Sequence, residues 1–461
     1  FKQDYTVEGF STVTYRGTGA TQYIGGVGFQ PDLVWVKRRD SSAWHMLSDS
    51  VRGTGKSLYS NDTAVEGDDG SVTLAAFNTD GFTIGSSGAM NTSGASMVGW
   101  NWDMGGNACT SGISFDNSDD DIVFELASAL GTGDFTVEYY CYFNSLQNYD
   151  TIVSTTRGST GFNVGTDANG KAVWYRGSRL IETATGTYAT ARWYHTAYVR
   201  TGTTLKCYID GILKDTATDN GNYSELTTSI GALDSAGEFS EVTLDGVRIS
   251  NTARYSANFT PSTTRPVSDS NTIFLLNAPT VSDASSNETS LTVTGTFITE
   301  TTKGFAPSNA NGSITSQVRA NPTYGQSIVS YVGNTTAGAT VGHGLSSAPE
   351  MMIIKNRDRA YDWIVWHDSL ADDYHLRLNG THAAINSSTR FNSTDPSSTV
   401  FTLGSQDDTN GVSGANDDLI AYCFHSVTGY SKFGTYEGDG STSHAITTGF
   451  KPAFVLTKNV D

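Results

Sequence analysis

Apolar residues in this chain occur in short runs, and the stretches between the runs are rich in Gly, Ser, Thr, Asn and Asp. Several runs alternate apolar and polar residues, which is the pattern of a strand with one buried face. Pairs such as Asp210-Gly211 separate neighbouring runs and are typical of hairpin turns. The clearest alternation lies in residues 134–143, DFTVEYYCYF, where one face carries Phe135, Val137, Tyr139 and Cys141. The pattern predicts an all-β protein made of many short strands.

One apolar run recurs along the chain. Residues 31–40 read PDLVWVKRRD, residues 349–358 read PEMMIIKNRD, and residues 452–461 read PAFVLTKNVD. Each copy begins with Pro, continues with residues that are apolar on both faces of a strand, and has Lys in seventh and Asp in tenth place. A strand of this kind is expected to be buried on both sides. Matching features follow the first two copies in the same order, so the sequence predicts a repeated module.

The recurrence divides the chain into four predicted parts. Within the two longer copies, the order of features pairs Trp44 with Trp363. Because the third copy ends after its first strand, we expect the natural protein to continue beyond residue 461. The predicted parts are a first copy of the module in residues 1–110, a different β domain in 111–310, a second copy in 311–433 and the start of a third copy in 434–461.

Composition and charge exclude two classes of partner. The 461 residues include 47 Asp and Glu against 28 Lys and Arg, which gives a formal net charge of −19. Nucleic acids and anionic lipids are bound by basic surfaces, so neither is expected as a partner. No stretch is long and apolar enough to predict insertion into a membrane. Aromatic residues make up 11% of the chain, which distinguishes it from a disordered protein.

Residues 112–277 resemble a known family. Residues 193–216, WYHTAYVRTGTTLKCYIDGILKDT, are followed by SIGA at 229–232 and LDGVRISNTARYSANFTP at 244–261. These segments resemble LamG-like domains of the concanavalin A-like jelly-roll superfamily. The resemblance implies a concanavalin A-like (LamG) β-sandwich, flanked by repeated small β-sandwich modules.

The flanking copies resemble repeat modules of marine tailed-phage virion proteins of the tail-fibre type. The resemblance implies a non-catalytic bacteriophage virion surface protein, a tail-fibre or appendage component that attaches to a glycan of the host surface. Its location would be the tail or capsid surface of the virion, after assembly in the bacterial cytoplasm. Its partners would be other virion proteins and copies of itself in a homotrimer. Two alternatives stay open: a capsid-decorating or head-fibre protein, and a polysaccharide depolymerase.

Sugar-binding sandwiches present aromatic and polar side chains on loops. Aromatic side chains in a β-sandwich also form its core, so a core position is the alternative for each candidate. The candidates near predicted turns are Tyr149, Trp174, Tyr175, Arg176 and Tyr188.

The resemblance also implies a calcium site at the sandwich rim. The densest acidic run is Asp116 to Asp121, and carboxylate oxygens are the ligands that Ca²⁺ prefers. We name Asp116, Asp119 and Asp121 as candidate ligands. EF-hand spacing is absent, so a solvated acidic loop is the alternative, and no other cofactor is expected.

Some concanavalin A-like folds are glucanases, which use paired carboxylates as acid and nucleophile. The nearest candidates here are Glu238, Glu241 and Asp245, but the spaced pattern of those enzymes is absent. His195 has no Ser or Cys placed to form a nucleophile pair, and it fits a packed strand position better. We therefore expect no enzymatic activity.

Overall fold

The computed structural model is nearly all β, with 41% of residues in strands and 3% in helices, so the predicted fold class is confirmed. Contacts divide the chain into two compact units, Phe1–Ala108 with Thr302–Asp461, and Cys109–Thr301. None of the helices in the described part of the chain is long and apolar enough to cross a membrane. The structure describes residues 9–78, 80–105, 112–147, 150–155, 159–190, 193–233, 238–259, 261–262, 265–278, 280–300, 308–441, 443 and 445–461.

Module 1, residues 9–105, consists of two sheets around one core. The larger sheet has the order β1-β9-β3-β4-β5-β6 and the smaller one β2-β8-β7. A short helix, α1 (Gly88–Asn91), precedes the last strand. The core between the sheets contains Val34, Val36, Met46 and Phe82. The strands are β1 (Phe10–Arg16), β2 (Gln22–Gly25), β3 (Leu33–Arg38), β4 (His45–Asp49), β5 (Lys56–Tyr59), β6 (Gly67–Asp68), β7 (Leu74–Asn78), β8 (Gly81–Ile84) and β9 (Ser96–Trp102).

The second unit is a sandwich of two antiparallel sheets. One sheet has the order β19-β18-β17-β12-β21-β10-β24, with β22 also paired to β21, and the other has the order β16-β15-β14-β13-β20-β11-β23. The alternating face predicted for Phe135, Val137, Tyr139 and Cys141 lies wholly in the core between them. The strands are β10 (Gly112–Ser114), β11 (Asp121–Glu125), β12 (Phe135–Phe143), β13 (Asp150–Ser154), β14 (Asn163–Thr166), β15 (Ala172–Tyr175), β16 (Arg179–Glu182), β17 (Trp193–Thr201), β18 (Thr204–Ile209), β19 (Ile212–Thr218), β20 (Thr227–Ile230), β21 (Val242–Ser250), β22 (Thr272–Leu276), β23 (Thr292–Thr294) and β24 (Ile298–Glu300).

Module 2, residues 308–433, repeats the plan of module 1 with a larger first sheet. Its sheets have the orders β25-β26-β27-β34-β29-β30-β31-β32 and β28-β33. Its core contains Val329, Ile354, Trp366 and Phe401. The elements are β25 (Ser308–Asn309), β26 (Ser316–Asn321), β27 (Gln326–Val332), β28 (Thr340–Gly342), β29 (Met351–Asn356), β30 (Ile364–His367), β31 (Tyr374–Arg377), β32 (Ile385–Asn386), β33 (Val400–Thr402), α2 (Asp407–Asn410) and β34 (Asp418–Phe424).

The recurring Lys holds the loop that follows its strand. In module 1 the ammonium of Lys37 donates to the carbonyls of Ser41 at 3.0 Å and Ala43 at 2.8 Å. In module 2 Lys355 donates to Asn356 at 2.6 Å and Arg359 at 2.8 Å. In both modules the ammonium thus donates to backbone carbonyls at the end of the strand or in the loop that follows it.

The recurring Asp fixes the start of the last strand. The carboxylate of Asp40 accepts the backbone N–H of Ser96 at 2.9 Å, and that of Asp358 accepts the N–H of Asp418 at 2.6 Å. Both strands then pair with the recurring strand, since Leu33 lies opposite Trp102 and Met351 opposite Phe424. The Lys and Asp side chains of the motif therefore bind backbone groups of the following loop and of the last strand, and these contacts hold the module together.

The recurring strand is buried on both sides because the two modules share a second core. One face of each strand packs inside its own module, as Val34 and Ile354 do. Side chains of the other face, among them Leu33 and Ile353, belong to one cluster drawn from both modules, which also contains Tyr422 of β34.

Hydrogen bonds correct the pairing of Trp44 with Trp363. The N–H of His45 donates to the side chain of Asn61, and the N–H of Trp363 donates to that of Asn379 in the same way. His45 is therefore the counterpart of Trp363, and Trp44 corresponds to Asp362. The two tryptophans share a residue type but occupy backbone positions that differ by one residue.

The third copy differs from its sequence pattern. Residues 434–461 have no strand among those that the structure describes. Phe454, at the position of Leu33 and Met351, packs its ring 5.6 Å from both Trp100 and Trp102. The segment thus contributes to the second core through this ring without forming a sheet.

Candidate functional site

The end of β15 carries the two candidate sugar-binding side chains that reach the surface. Tyr175 and Arg176 are both half-buried. The hydroxyl of Tyr175 donates to the carbonyl of Gly177 at 3.1 Å, and the guanidinium of Arg176 lies 5.3 Å from the ring centre of Tyr223. Together they form a small polar and aromatic surface beside a turn. Tyr149, the other loop candidate, lies outside the described residues.

Trp174 and Tyr188 are core residues, which corrects their prediction as ligand-binding side chains. The indole of Trp174 stacks 4.7 Å from Phe162 and donates to the hydroxyl of Tyr223 at 3.0 Å. The hydroxyl of Tyr188 is 2.6 Å from that of Thr196. Both side chains are fully enclosed, so neither offers a face to a ligand. Strand alternation could have separated Trp174 from its half-buried neighbour Tyr175.

The acidic run brings three carboxylates together before β11. Ligand atoms of Asp116, Asp119 and Asp120 lie within 4.8 Å of one another. The backbone N–H of Asp116 donates to Asp120 at 2.9 Å, and Oδ1 of Asp120 is buried without a hydrogen-bond partner. Burial raises the pKa of Asp120, and the negative charges of Asp116 and Asp119 add to the rise. Three carboxylates this close together, one with an unpartnered buried oxygen, fit a hard cation such as Ca²⁺.

Asp121 is not a member of this group, although the sequence named it as a ligand. It is the first residue of β11 and pairs with Thr294, so it belongs to the sheet and not to the loop. Burial raises its pKa to about 6. Asp120 takes the place that the sequence assigned to Asp121.

The carboxylates considered for hydrolysis have structural partners. The side chain of Asp245 is fully buried, binds Arg265 at 2.9 Å and accepts the N–H of Ala278 at 2.9 Å. Glu241 accepts hydrogen bonds from Ser145 at 2.5 Å and Gln147 at 3.3 Å. An acid and nucleophile pair must both reach the substrate, and Asp245 cannot do so from the interior.

His195 belongs to a buried polar network that the sequence did not reveal. Its Nε2 lies 3.2 Å from Oε2 of Glu138, which also accepts the hydroxyl of Tyr255 at 2.8 Å. Arg248 binds the other oxygen of Glu138 at 2.6 Å. Burial alone would raise the pKa of Glu138, but the hydrogen bond from His195 and the charge of Arg248 hold it at about 2. The network accounts for His195 as a packed strand residue.

Comparison with known families agrees with this architecture. A domain of unknown function, DUF7483, matches residues 6–139 and 234–461, which together are most of the sequence. The chain belongs to the DUF7483 family. The concanavalin A-like lectin/glucanases superfamily matches residues 116–258 of this DUF7483 protein, so the resemblance predicted for the sandwich is confirmed.

Several solved structures show distant similarity. A SAP-like pentraxin from Limulus polyphemus is 16% identical, with 41% of this chain and 94% of the pentraxin covered and a TM-score of 0.30. Carbohydrate binding module CBM66 from Bacillus subtilis is 16% identical, with 31% and 94% covered and a TM-score of 0.21. Domains LG4-5 of the mouse laminin α1 chain are 9% identical, with 56% and 90% covered and a TM-score of 0.27. No curated protein matches the sequence.

Proposed function

We propose that this chain is a non-catalytic surface protein of a tailed-phage virion, a tail-fibre or appendage component whose sandwich binds a host glycan. The observation that carries the non-catalytic part is the enclosure of Asp245 between Arg265 and the backbone of Ala278. Membership of the sandwich in the concanavalin A-like lectin/glucanases superfamily supports the glycan as ligand. The virion location rests on the resemblance of the repeat modules.

The binding surface in this proposal is formed by Tyr175 and Arg176. A half-exposed phenol ring can pack on the apolar face of a sugar, and the adjacent guanidinium can donate to its hydroxyls or carboxylates. Because one such contact is weak, attachment would depend on several copies that act together, as in the homotrimer implied by the resemblance.

The test is binding of purified protein to host surface polysaccharide, measured together with the length of the polymer. Tyr175→Ala and Arg176→Ala should each weaken binding, whereas Leu213→Ala, which changes an exposed residue of β19, should leave it intact. Polymer length should stay constant throughout. Shortening of the polymer that Glu241→Gln or Asp245→Asn abolishes would establish the depolymerase instead.

Antibody labelling of intact particles decides the location. Label on the tail supports the proposal, and label spread over the head alone would support the capsid-decorating alternative. Sedimentation of the purified protein would test the homotrimer.

A second candidate function is calcium binding by Asp116, Asp119 and Asp120, favoured by the unpartnered, buried oxygen of Asp120. A cation that binds the folded state alone stabilises it by RT ln(1 + [L]/Kd), and the melting temperature rises as a result. Calcium should therefore raise the melting temperature of the wild type, and Asp119→Asn should reduce the increase. An equal increase in Asp134→Asn, which changes an acidic residue outside the cluster, is the expected control result. No increase in the wild type would exclude the site.

A further inference from the structure

Module 1 has an open groove on its surface that none of the functions above uses. The groove is open to solvent and has a volume of about 590 Å³, within the range of small-molecule binding sites. Trp44 forms part of its wall with 52% of its surface exposed. Tyr59 lies beside it, with ring centres 4.7 Å apart and ring planes inclined by 39°. A large exposed indole face in a concave surface is unusual, because aromatic side chains are normally buried.

The backbone holds Trp44 in place on both sides. The carbonyl of Ala43 accepts the ammonium of Lys37 at 2.8 Å. The N–H of His45 donates to the side chain of Asn61 at 2.8 Å. The indole is thus carried by a fixed segment, and a rigid aromatic face binds a ligand with little loss of conformational entropy.

Module 2 shows that the fold does not require this aromatic pair. The positions of Trp44 and Tyr59 correspond to Asp362 and Arg377, which form an ion pair at 2.9 Å. The backbone contact that fixes the segment is kept, since the N–H of Trp363 donates to Asn379 at 2.9 Å. The same backbone therefore accommodates a charged pair. The fold of the module does not need the aromatic residues, so they have another role in module 1.

Polar groups around the indole indicate the chemistry of the ligand. The polar residues Ser42, Ser86 and Asp69 are among those that line the groove. Asp69 is held by the hydroxyl of Ser57 at 2.6 Å. Hydroxyls donate and accept, and a carboxylate accepts, so the set is suited to a ligand with many hydroxyl groups. Neither Lys nor Arg is among the lining residues, so an anionic ligand would face Asp69 without a counter-charge.

We propose that the groove of module 1 binds a neutral saccharide, with one sugar ring packed on Trp44 and its hydroxyls bonded to Asp69 and the neighbouring serines. The ligand class is the one in the proposed function, but the site is a different one, outside the sandwich. Two sites on one chain would increase the avidity for a polymeric glycan.

The decisive variant gives module 1 the residues of module 2. Trp44→Asp combined with Tyr59→Arg removes the aromatic face and supplies the ion pair that the same backbone carries in module 2, so the fold should be retained. Neutral cello-, malto- and chito-oligosaccharides and an anionic alginate oligosaccharide are titrated against the full chain and followed by saturation-transfer NMR. At least one neutral oligosaccharide should bind, and the double variant should weaken that binding about tenfold or more.

Controls separate this site from others. Tyr23→Ala removes another exposed aromatic side chain of module 1 and should leave binding unchanged. Circular dichroism and melting temperature should show that the double variant is folded. If the double variant does not fold, Ser42→Trp, which would fill the groove from its rim, should block binding instead.

Three outcomes of the titration contradict the proposal. It fails if the wild type binds none of the neutral oligosaccharides, if it binds the anionic one alone, or if the double variant binds as the wild type does. A change in oligomeric state without a change in sugar binding would show that the groove is an interface between copies. Binding that depends on Arg176 and not on Trp44 would refute this site and leave the proposed function intact. Binding that depends on Trp44 and not on Arg176 would support this site and refute the sandwich surface.

Discussion

Arg357 of module 2 binds Glu66 of module 1 at two points, with Nε 3.0 Å from Oε2 and Nη2 2.8 Å from Oε1. The backbone N–H of Glu66 also donates to the carbonyl of Arg357 at 2.8 Å. Arg357 occupies the ninth place of the recurring motif, where Arg39 of module 1 is exposed to solvent. The ninth position of the motif is thus exposed to solvent in module 1, whereas in module 2 it forms the contact between the modules.

Acid should weaken the contact between the modules through Glu66. Burial raises the pKa of Glu66, but the charge of Arg52 and the hydrogen bond and charge of Arg357 outweigh it and hold the pKa at about 2, below its ordinary value of 4.5. The folded state therefore binds the proton less tightly than the unfolded chain does. The stabilisation is complete above pH 4.5 and is lost as the pH falls towards 2. Urea unfolding measured between neutral and acidic pH should show this loss.

Glu66→Gln should remove much of that pH dependence and destabilise the protein at neutral pH by roughly 3 kcal/mol, because two arginines lose a buried partner. Glu437→Gln, which changes an exposed carboxylate of the same unit, is the matched control and should have little effect. Equal pH profiles for wild type and Glu66→Gln would contradict the role of this ion pair.

Lys355→Met should destabilise module 2 by about 2 kcal/mol, because the carbonyls of Asn356 and Arg359 lose their donor in a buried environment. Lys451→Met changes an exposed lysine and should alter stability by less than about 0.5 kcal/mol. Chemical denaturation of both variants provides the comparison. Similar effects in the two would mean that the recurring Lys does not stabilise the loop.

Trp174→Ala should destabilise the sandwich by about 3–5 kcal/mol, since the indole fills the core between aromatic neighbours. Tyr175→Ala, one residue away and half-exposed, should cost less than about 1 kcal/mol. Thermal unfolding distinguishes the two. A small effect of Trp174→Ala would show that the indole does not fill the core, and Trp174 would again be a candidate for ligand binding.

Phe454→Ala should expose the indoles of Trp35, Trp100 and Trp102, because the ring lies within 6.3 Å of all three ring centres. Tryptophan emission should move to longer wavelength, and stability should fall by about 1–2 kcal/mol. Val455→Ala changes a side chain that is 69% exposed and should leave the emission unchanged. An unchanged spectrum in Phe454→Ala would show that the segment does not pack on these indoles in solution.

Much of the fold followed from local patterns. The alternation of Phe135, Val137, Tyr139 and Cys141 predicted one face of β12, and the apolar run of residues 31–40 predicted a strand buried on both sides. These predictions succeed because a strand has a period of two residues, which the order of side chains records directly.

Candidate sites were harder to predict, since proximity to a turn does not determine exposure. Trp174 and Tyr175 are neighbours, yet one fills the core and the other reaches the surface. Asp120 and Asp121 are neighbours as well, yet Asp120 belongs to the group of carboxylates in the loop and Asp121 is paired in the sheet. A shift of one residue exchanges the two faces of a strand, and composition does not reveal where the strand begins.

The sequence by itself determined that the chain is all-β, where the recurring strands lie and which superfamily the sandwich resembles. Only the tertiary structure decided what covers the second face of those strands, which partners hold Glu138, Glu66 and Asp245, and that Trp44 stands where module 2 has Asp362. The periodicity of a strand is local, so it can be recognised from consecutive residues in the sequence. Contacts such as that between Arg357 and Glu66 join residues far apart in the chain, and they exist only after the sheets have packed.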